Sequence, residues 1–462
     1  MPSADAQRFF ATAAPHLEAL LGERFSTAPS VLEQHGRDES WHPVEPPQGV
    51  CFAQSTEEVA QIVRLCADHR LPVIPFGAGT SLEGQIGAPR GGISLDLSPM
   101  DRIVALRPED LDATVEAGVT RLQLDRVARD QGLFFPVDPG ADATFGGMTA
   151  TRASGTSAVR YGTMRENVLA LEVVLASGEV IHTGRRSRKS SAGYDLTRLF
   201  VGSEGTLGVI TQVTVRLHGL PEAIAAAVVP FDDLRGAVET AATVVQMGLP
   251  VARVELLDEV MVDAVNRHAG SEHTVAPTLF FEFHGTEAGV EEQSREVGDV
   301  VRQHGGGEFR WARQEDERQA LWHARHHAYY AALALRPGAR GWTTDVCVPL
   351  SHLAQCLVDT RRDIDASVLQ APIVGHVGDG NFHLLMLVDP DSADELAEAE
   401  RLHDRLVARA LDLEGTCTGE HGVGVGKKKF LPQEHGEVAL DAMRALKHAL
   451  DPHGLMNPGK IF

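Results

Sequence analysis

Leu71-Pro-Val-Ile-Pro-Phe-Gly-Ala-Gly-Thr-Ser-Leu-Glu-Gly84 is the stretch that decides the fold. Its apolar start, Leu71 to Phe76, predicts a strand, and two glycines and two hydroxyl residues come directly after it. Such a loop can aim backbone N–H groups and hydroxyls at a pyrophosphate, because glycine lets the backbone approach closely and adopt positive φ. Taken alone, the loop is equally compatible with a plain turn between two strands.

The residues after this loop exclude two familiar nucleotide-binding turns. No Gly-Lys-Ser/Thr triplet comes after the glycines, so the loop is not a Walker loop. A Rossmann turn needs a helix that begins behind the glycines, whereas Gly91-Gly-Ile-Ser-Leu-Asp-Leu97 predicts another strand. A cofactor at this loop would therefore be bound without a Rossmann turn.

Two more segments share the glycine-rich character of the loop. Pro136-Val-Asp-Pro-Gly140 leads into residues 146–162, where most side chains are small, and Val201-Gly-Ser-Glu-Gly-Thr-Leu-Gly208 is another turn of glycines. Segments this poor in bulk cannot build a hydrophobic core, but they can press backbone against a large planar ligand. Three of them before residue 220 favour a long cofactor over three unrelated turns.

The pattern changes near Pro221. From Ala223 to His304 the sequence predicts three strands that alternate with three helices, which is an α+β unit of ferredoxin-like pattern. A strand pair is predicted around Gly378-Asp-Gly380, and a helix is predicted from Val438 to Leu450. We therefore expect at least two domains.

Composition narrows the functional classes. The 462 residues carry a formal net charge of −22, which argues against nucleic acid as a partner and against broad docking on anionic lipid. No apolar run is long enough to span a bilayer, and no signal peptide is evident, so we expect a cytoplasmic protein with at most peripheral contact at the inner membrane face. None of the five cysteines lies in iron–sulfur or zinc-ribbon spacing, so electrons that leave this chain would need a separate carrier.

Two histidines and a carboxylate form a candidate metal site. His376 and His383 are seven residues apart, which would put them on opposite faces of one continuous strand, but Gly378-Asp-Gly380 breaks the strand between them. A reversal there can bring both imidazoles to one side, and Glu420 could supply a carboxylate. The alternative is that both are structural histidines at strand ends.

The whole set of motifs resembles the FAD-linked oxidases of the vanillyl-alcohol-oxidase type, and within them most closely the cytochrome-type D-lactate dehydrogenases. The similarity runs from about residue 45 to the C-terminus, with the motifs in family order. They are Pro75 to Gly84, Gly146 to Gly162, Gly202 to Gly208, His376 to His383, Gly419 to Gly422 and Asn457 to Lys460.

The resemblance implies an α+β fold with three parts. These are a two-subdomain FAD-binding domain of the p-cresol-methylhydroxylase type, a ferredoxin-like substrate or cap domain, and a short helical C-terminal segment that returns to the flavin site. The corresponding ranges are 1–219, 220–415 and 416–462.

The resemblance also implies FAD as the cofactor. Some relatives fix the flavin through a His or Cys near these loops, but Pro75 to Gly84 contains neither, so we expect noncovalent FAD. The residues expected to contact it are Pro75, Gly77, Ala78, Gly79, Thr80, Ser81, Gly84, Pro139, Met148, Ser154, Gly155, Ala158, Tyr161, Gly162, Glu204, Ile210 and Asn457.

Relatives with the His376 to His383 motif carry a divalent metal there, so the resemblance favours His376, His383 and Glu420 as ligands of zinc, manganese or iron. His421 is the expected base, since an imidazole titrates near working pH; its alternative is a fourth ligand or a hydrogen-bond partner. Arg325, in Leu321-Trp-His-Ala-Arg325, matches the segment where relatives place an arginine for the substrate carboxylate. Its alternative is a surface salt bridge.

The expected reaction is oxidation of a small 2-hydroxy monocarboxylate, with D-lactate first. Trp342-Thr-Thr-Asp345 and Leu384-Leu385 lack the lysine and the polar residue that 2-hydroxyglutarate enzymes have there, and an apolar pocket disfavours a second carboxylate. The alternatives are a glycolate oxidase subunit, a D-2-hydroxyglutarate dehydrogenase and, more remotely, a flavin electron-transfer subunit with no substrate. Cytochrome c, a quinone or an electron-transfer flavoprotein is the expected acceptor.

Overall fold

The computed structural model describes residues 4–462, and residues 1–3 of the expected first domain lie outside that range. The chain forms two compact units that each combine separate stretches of sequence. The first unit contains the residues up to Ser154, Thr163–Leu220 and Glu420–Phe462; the second contains Gly155–Gly162 and Pro221–Gly419. The mixture of helix and sheet in both units agrees with the expected α+β class.

The strands, numbered in chain order, are β1 (Phe25–Ser26), β2 (Gly49–Phe52), β3 (Val73–Phe76), β4 (Ile93–Asp96), β5 (Ile103–Arg107), β6 (Asp112–Glu116), β7 (Leu133–Phe134), β8 (Val168–Val174), β9 (Val180–His182), β10 (Val209–Arg216), β11 (His218–Gly219), β12 (Ala223–Pro230), β13 (Val251–Leu257), β14 (Thr278–Gly285), β15 (Arg310–Ala312), β16 (Arg340–Thr343), β17 (Val346–Cys347), β18 (Ile373–His376) and β19 (Asn381–Val388).

The α-helices are α1 (Ala4–Leu21), α2 (Pro29–His35), α3 (Thr56–Asp68), α4 (Arg121–Arg129), α5 (Phe145–Thr151), α6 (Ala158–Tyr161), α7 (Met164–Asn167), α8 (Leu196–Phe200), α9 (Leu234–Gln246), α10 (Glu259–Ala269), α11 (Glu287–Gln303), α12 (Glu315–His326), α13 (Ala328–Ala334), α14 (Leu350–Asp365), α15 (Ala393–Asp412), α16 (Leu431–His435) and α17 (Glu437–Leu450).

The first unit contains two main sheets. One has the order β1-β2-β4-β3, with β2 and β3 both parallel to β4, and α1 and α3 share its apolar core. The other is antiparallel, in the order β5-β6-β10-β8-β9, over a core that includes Phe135, Phe145 and Phe200. The strand predicted over Leu71 to Phe76 is observed as β3. It lies at one edge of its sheet, and the glycine loop comes directly after it.

The second unit is built on one large sheet in the order β15-β12-β14-β13-β18-β19-β16, with β17 also paired to β19. The predicted alternation of strands and helices from residue 223 to 304 is observed as β12-α9-β13-α10-β14-α11. Side-chain oxygens of Asp233, Asp258 and Thr286 accept backbone N–H groups in the first turns of these three helices, which explains where each begins.

The strand registers of the second unit place a strip of polar side chains on one sheet face. Arg253 of β13 lies opposite Glu282 of β14, and His376 of β18 lies opposite Asn381 of β19. Because side chains two apart on a strand share a face, Glu255 belongs to the same face as Arg253. The apolar remainder of this face packs against α10, α12 and α13. We call these residues, with His284 and His383, the polar strip.

Asp258 makes the stability of the protein depend on pH. It caps α10 and pairs with Arg361 at 3.2 Å, and its complete burial raises its pKa to about 7. The pKa of Asp258 is therefore higher in the folded state than in the unfolded state. Its contribution to the free energy of unfolding is complete at low pH, and it is lost as the pH rises from the unfolded pKa through about 7.

Asp258→Asn should therefore flatten the pH dependence of the free energy of unfolding, because asparagine caps a helix equally well but does not titrate. About two pH units separate pH 5 from the folded-state pKa of about 7. At about 1.4 kcal/mol per unit, the wild type should lose about 2.7 kcal/mol more than the variant between pH 5 and 8.5. Urea unfolding at several pH values measures this, and two curves of equal slope would contradict it.

Candidate functional site

The loop after β3 needs glycine for two structural reasons. Gly79 has φ +70, and a Cβ on Gly77 would lie 2.4 Å from Thr144 Oγ1. The Ser81 hydroxyl donates to Asp38 at 2.9 Å, which fixes the far end of the loop. Residues 77–81 are exposed or half-buried, so their backbone N–H groups are accessible to a phosphate group. The loop therefore fits the pyrophosphate site that the sequence predicts.

The second glycine-rich segment is divided between the two units. Gly146 is in the first turn of α5 in the first unit, where a Cβ would lie 2.8 Å from Ala117 Cβ. Met148, expected at the flavin, lies in the core of that unit and is 1% exposed. The expected cofactor residues of the first unit are Pro75, Gly77, Ala78, Gly79, Thr80, Ser81, Gly84, Pro139, Met148, Ser154, Glu204, Ile210 and Asn457, and those of the second are Gly155, Ala158, Tyr161 and Gly162.

Glu204 and Asn457 are buried at the centre of the first unit. The Glu204 carboxylate accepts the N–H groups of Val423 and Gly424 at 2.7 and 2.8 Å. The Asn457 amide donates to the carbonyl oxygens of Gln85 and Glu204. Burial raises the pKa of Glu204 to about 7, although these two N–H groups oppose the rise. The Glu204 side chain therefore holds the backbone of the loop that comes after His421, and the Asn457 side chain links the backbone of Gln85 to that of Glu204.

A buried ion pair also holds this loop. Lys427 is 0% exposed, and its Nζ lies 2.7 Å from Glu83 Oε1. Burial acts to raise the pKa of Glu83, but the charge of Lys427 and the contact with the His42 side chain outweigh it, so the pKa is lowered. The Gln85 amide donates to the carbonyl oxygen of His421 at 2.7 Å. The segment that begins with Glu420 and His421 is therefore anchored on the residues at the end of the glycine loop.

The second unit brings His376 and His383 together, with ring centroids 5.5 Å apart and the rings nearly perpendicular. His376 Nδ1 lies 2.7 Å from Glu255 Oε1, and His383 Nδ1 lies 2.9 Å from the carbonyl oxygen of Thr344. A carboxylate or carbonyl oxygen can only accept, so each Nδ1 carries a proton, and in the neutral imidazole the lone pair is then on Nε2. This tautomer is the one that ligates a metal through Nε2.

Asp345 fixes the residues immediately before Glu420. It lies 3.6 Å from His383 Nδ1, and it accepts hydrogen bonds from Asn381 at 2.8 Å and from the Thr418 hydroxyl at 2.7 Å. Thr418 and Gly419 close the second unit, so Glu420 is joined by one peptide bond to a residue fixed beside this network. The donor set of two imidazoles and one carboxylate suits a divalent transition metal.

Arg325 is buried, with 8% of its surface exposed, so the alternative of a surface salt bridge does not hold. Its Nη2 donates to Glu255 Oε2, and its Nε has no hydrogen-bond partner among the described residues. Glu255 was not singled out from the sequence. A glutamate inside the apolar strand Val251–Leu257 is the signal that could have found it. Asp345 and Glu83 lie in segments singled out from the sequence, but nothing there indicates a role for their side chains, and Lys427 stands in no recognisable pattern.

Tyr161 is bonded to the polar strip at His284. Its hydroxyl lies 2.8 Å from His284 Nδ1, and His284 Nε2 lies 2.8 Å from Glu282 Oε1. Arg160, next to it, donates to the carbonyl oxygens of Pro250 and His284. These bonds explain why residues 155–162 belong to the second unit.

Among residues 4–462, no helix combines the length and apolar character needed to cross a bilayer. This finding agrees with the absence of a long apolar run in the sequence.

Comparison with known families matches two models to this chain. The model described as FAD linked oxidases, C-terminal domain, matches residues 220–461, and the model described as FAD binding domain matches residues 47–184. The second range includes the part of the first unit that holds the glycine loop after β3.

Similar proteins span almost the whole chain. A protein of Danio rerio named probable D-lactate dehydrogenase, mitochondrial, is 53% identical over 442 residues, which cover 95% of this chain and 89% of the relative. One of Arabidopsis thaliana named D-lactate dehydrogenase [cytochrome], mitochondrial, is 46% identical over 447 residues, which cover 96% and 79%. The structure of p-cresol methylhydroxylase with substrate bound superposes with a TM-score of 0.81 over 100% of this chain and 98% of that one, at 20% identity, which confirms the predicted fold.

Proposed function

The chain belongs to the FAD-linked oxidase family, and on this premise we propose that it is a D-lactate dehydrogenase that passes electrons from D-lactate to FAD and releases pyruvate. The observation that carries the proposal is the placement of His376 and His383 side by side on the polar strip, each with its Nδ1 bonded to an oxygen acceptor. Nε2 is then the nitrogen that each imidazole would offer to a metal. The names of the Danio and Arabidopsis relatives support D-lactate.

FAD fits the first unit because Gly77 and Gly79 give the close approach and positive φ that a pyrophosphate-binding loop needs. When bound, FAD supplies the two-electron acceptor at its N5 atom. The chain would hold it noncovalently through the loop at 77–81 and the other glycine-rich segments. The buried bonds of Glu204 and Asn457 would keep these segments in place.

His376, His383 and Glu420 would hold a divalent metal, because the Nδ1 partners of both histidines leave Nε2 as the ligating atom. The ion would supply Lewis acidity at the substrate hydroxyl oxygen. His421, next to Glu420, would accept the hydroxyl proton on its imidazole. Its backbone carbonyl is held by Gln85, so the position of this base is fixed from the first unit.

Arg325 would bind the substrate carboxylate. The guanidinium has five N–H donors, of which the Nη2 group is used by Glu255, and its Nε points to no acceptor among the described residues. A planar fork of this kind matches a carboxylate with two parallel hydrogen bonds. Arg325 would then orient C2 of the substrate while Glu255 holds the arginine itself.

Arg325→Ala should lower kcat/KM for D-lactate at least about 30-fold, since truncating one partner of a buried charge pair costs about 2–5 kcal/mol. Arg325→Lys should recover little, because lysine cannot make two parallel bonds. His323→Ala, an exposed position on the same helix, serves as the control. Steady-state kinetics measure the effect, and unchanged efficiency of Arg325→Ala on D-lactate would remove the carboxylate assignment.

The proposed function is tested by anaerobic bleaching of the flavin absorbance. D-lactate, L-lactate, glycolate and D-2-hydroxyglutarate are added separately, each with and without prior chelator treatment. We expect rapid bleaching by D-lactate that chelation abolishes. Faster bleaching by glycolate or D-2-hydroxyglutarate would reassign the substrate, and no bleaching by any of them would leave the fold and overturn the function.

We further propose a cytochrome as the electron acceptor, because the Arabidopsis relative carries cytochrome in its name. Reduction of cytochrome c by D-lactate and the purified enzyme tests this, and efficient reduction of NAD instead would contradict it. Both relatives are named mitochondrial, so a cytoplasmic location stays a prediction.

A further inference from the structure

Glu255 occupies an unusual place for a carboxylate. It lies in the middle of β13 between Val254 and Leu256, and it is 0% exposed. Both of its oxygens are used: Oε1 lies 2.7 Å from His376 Nδ1, and Oε2 accepts from Arg325 Nη2. One buried side chain therefore contacts a proposed metal ligand and the proposed carboxylate-binding arginine.

Stability alone does not explain this arrangement. Taking a carboxylate and a guanidinium out of water costs several kcal/mol per ion. A protein in which a buried ion pair is replaced by apolar residues of similar volume is often as stable as the original, or more stable. Leu257, two residues along β13 on the same face, is apolar and buried, so an apolar side chain can be accommodated on this face of the strand. The retained charge indicates a role for the orientation of its two partners.

The bond to His376 has a fixed direction. An ionised carboxylate only accepts, so His376 must keep its proton on Nδ1 and present the lone pair on Nε2. A carboxylate partner of this kind also raises the basicity of a ligating imidazole. The second bond holds one edge of the Arg325 guanidinium, and its Nε–H has no acceptor among the described residues.

We propose that Glu255 is a positioning residue that couples the metal site to the substrate carboxylate site: one oxygen sets the tautomer and orientation of His376, and the other sets the orientation of Arg325. This inference rests on the proposed metal site. It adds a residue that touches neither metal nor substrate but decides how both are held.

Glu255→Gln tests the coupling, because an amide has one oxygen and one NH₂ group. The NH₂ group must face either Arg325, which has only donors, or His376, whose proton it would displace to Nε2. We expect the affinity of the metal-free protein for zinc or manganese, measured by titration calorimetry, to fall about 10- to 100-fold. This readout does not depend on turnover.

Glu282→Gln is the matched control. Glu282 is a buried carboxylate on the neighbouring strand β14, also bonded to a histidine at 2.8 Å and flanked by an arginine, Arg253, at 3.5 Å. Its histidine, His284, is not a proposed ligand. Glu282→Gln should therefore leave metal affinity within about twofold of the wild type.

A double variant, Glu255→Gln with Arg325→Met, separates positioning from simple charge neutralisation. If Glu255 only neutralises Arg325, the double variant should regain the metal affinity of the wild type. If Glu255 positions His376, the double variant should regain stability but not metal affinity. Recovered metal affinity, or wild-type affinity in Glu255→Gln alone, would overturn the inference. A wild type that binds no metal would overturn the metal site itself, and the inference with it.

Discussion

His383→Ala is expected to lower kcat/KM for D-lactate by more than about 1000-fold and to abolish stoichiometric metal binding. His383 is 5% exposed, and its Nδ1 donates to the carbonyl oxygen of Thr344, so the replacement removes one of the proposed ligating Nε2 atoms. A Lewis acid at the substrate oxygen is worth several kcal/mol, and about 1.4 kcal/mol corresponds to tenfold in rate. Metal analysis and steady-state kinetics on the same preparations measure both effects.

His403→Ala controls for the loss of a buried imidazole. His403 lies on α15 of the same unit, is 4% exposed and packs near Trp342 with ring centroids 6.0 Å apart. We expect this variant to keep its metal and most of its activity. Metal content in His383→Ala equal to that of the wild type would remove His383 from the ligand set, whatever its activity.

Lys427→Met is expected to destabilise the protein by about 3–5 kcal/mol. The substitution keeps an unbranched side chain, one atom shorter, but leaves the buried Glu83 carboxylate without the ammonium group that lies 2.7 Å from it. An uncompensated buried charge has this cost in other proteins. Chemical denaturation of the wild type and the variant at one pH measures the difference in the free energy of unfolding.

Glu83→Gln with Lys427→Met should recover most of the loss, because neither partner then carries a charge. Lys429→Met replaces an exposed lysine two residues away and should change stability by less than about 0.5 kcal/mol. If Lys427→Met is no more destabilised than Lys429→Met, the ion pair is not what holds the loop after His421.

The elements were more predictable than the site. The alternation from β12 to α11 results from apolar periodicity, and it is observed over the residues for which the sequence predicts it, from Ala223 to about residue 304. The pairing of His376 with His383 was also predictable, because the glycines between them permit the reversal from β18 to β19. Local pattern was sufficient for each of these features.

The partners of the site residues were not predictable. Glu255 is 121 residues from His376 in sequence, and the two meet only because β13 pairs with β18. Arg325 was expected to bind substrate, but nothing in Leu321 to Arg325 indicates that it also pairs with a glutamate of a distant strand. Sheet register decides such contacts, and a single sequence does not give the register between strands so far apart.

The way the two units share the chain has a consequence for synthesis on the ribosome. When Leu220 has been made, the first unit still lacks Glu420–Phe462, which includes Lys427, the partner of Glu83. The second unit in turn takes Gly155–Gly162 from a stretch made before most of its own residues, so Arg160 must await Pro250 and His284. Neither unit can fold from one continuous stretch of chain. During synthesis the Glu83 carboxylate has no ammonium partner until Lys427 has been made. Folding of the first unit is therefore completed only after the whole second unit has been synthesised, which favours slow maturation and a need for chaperones.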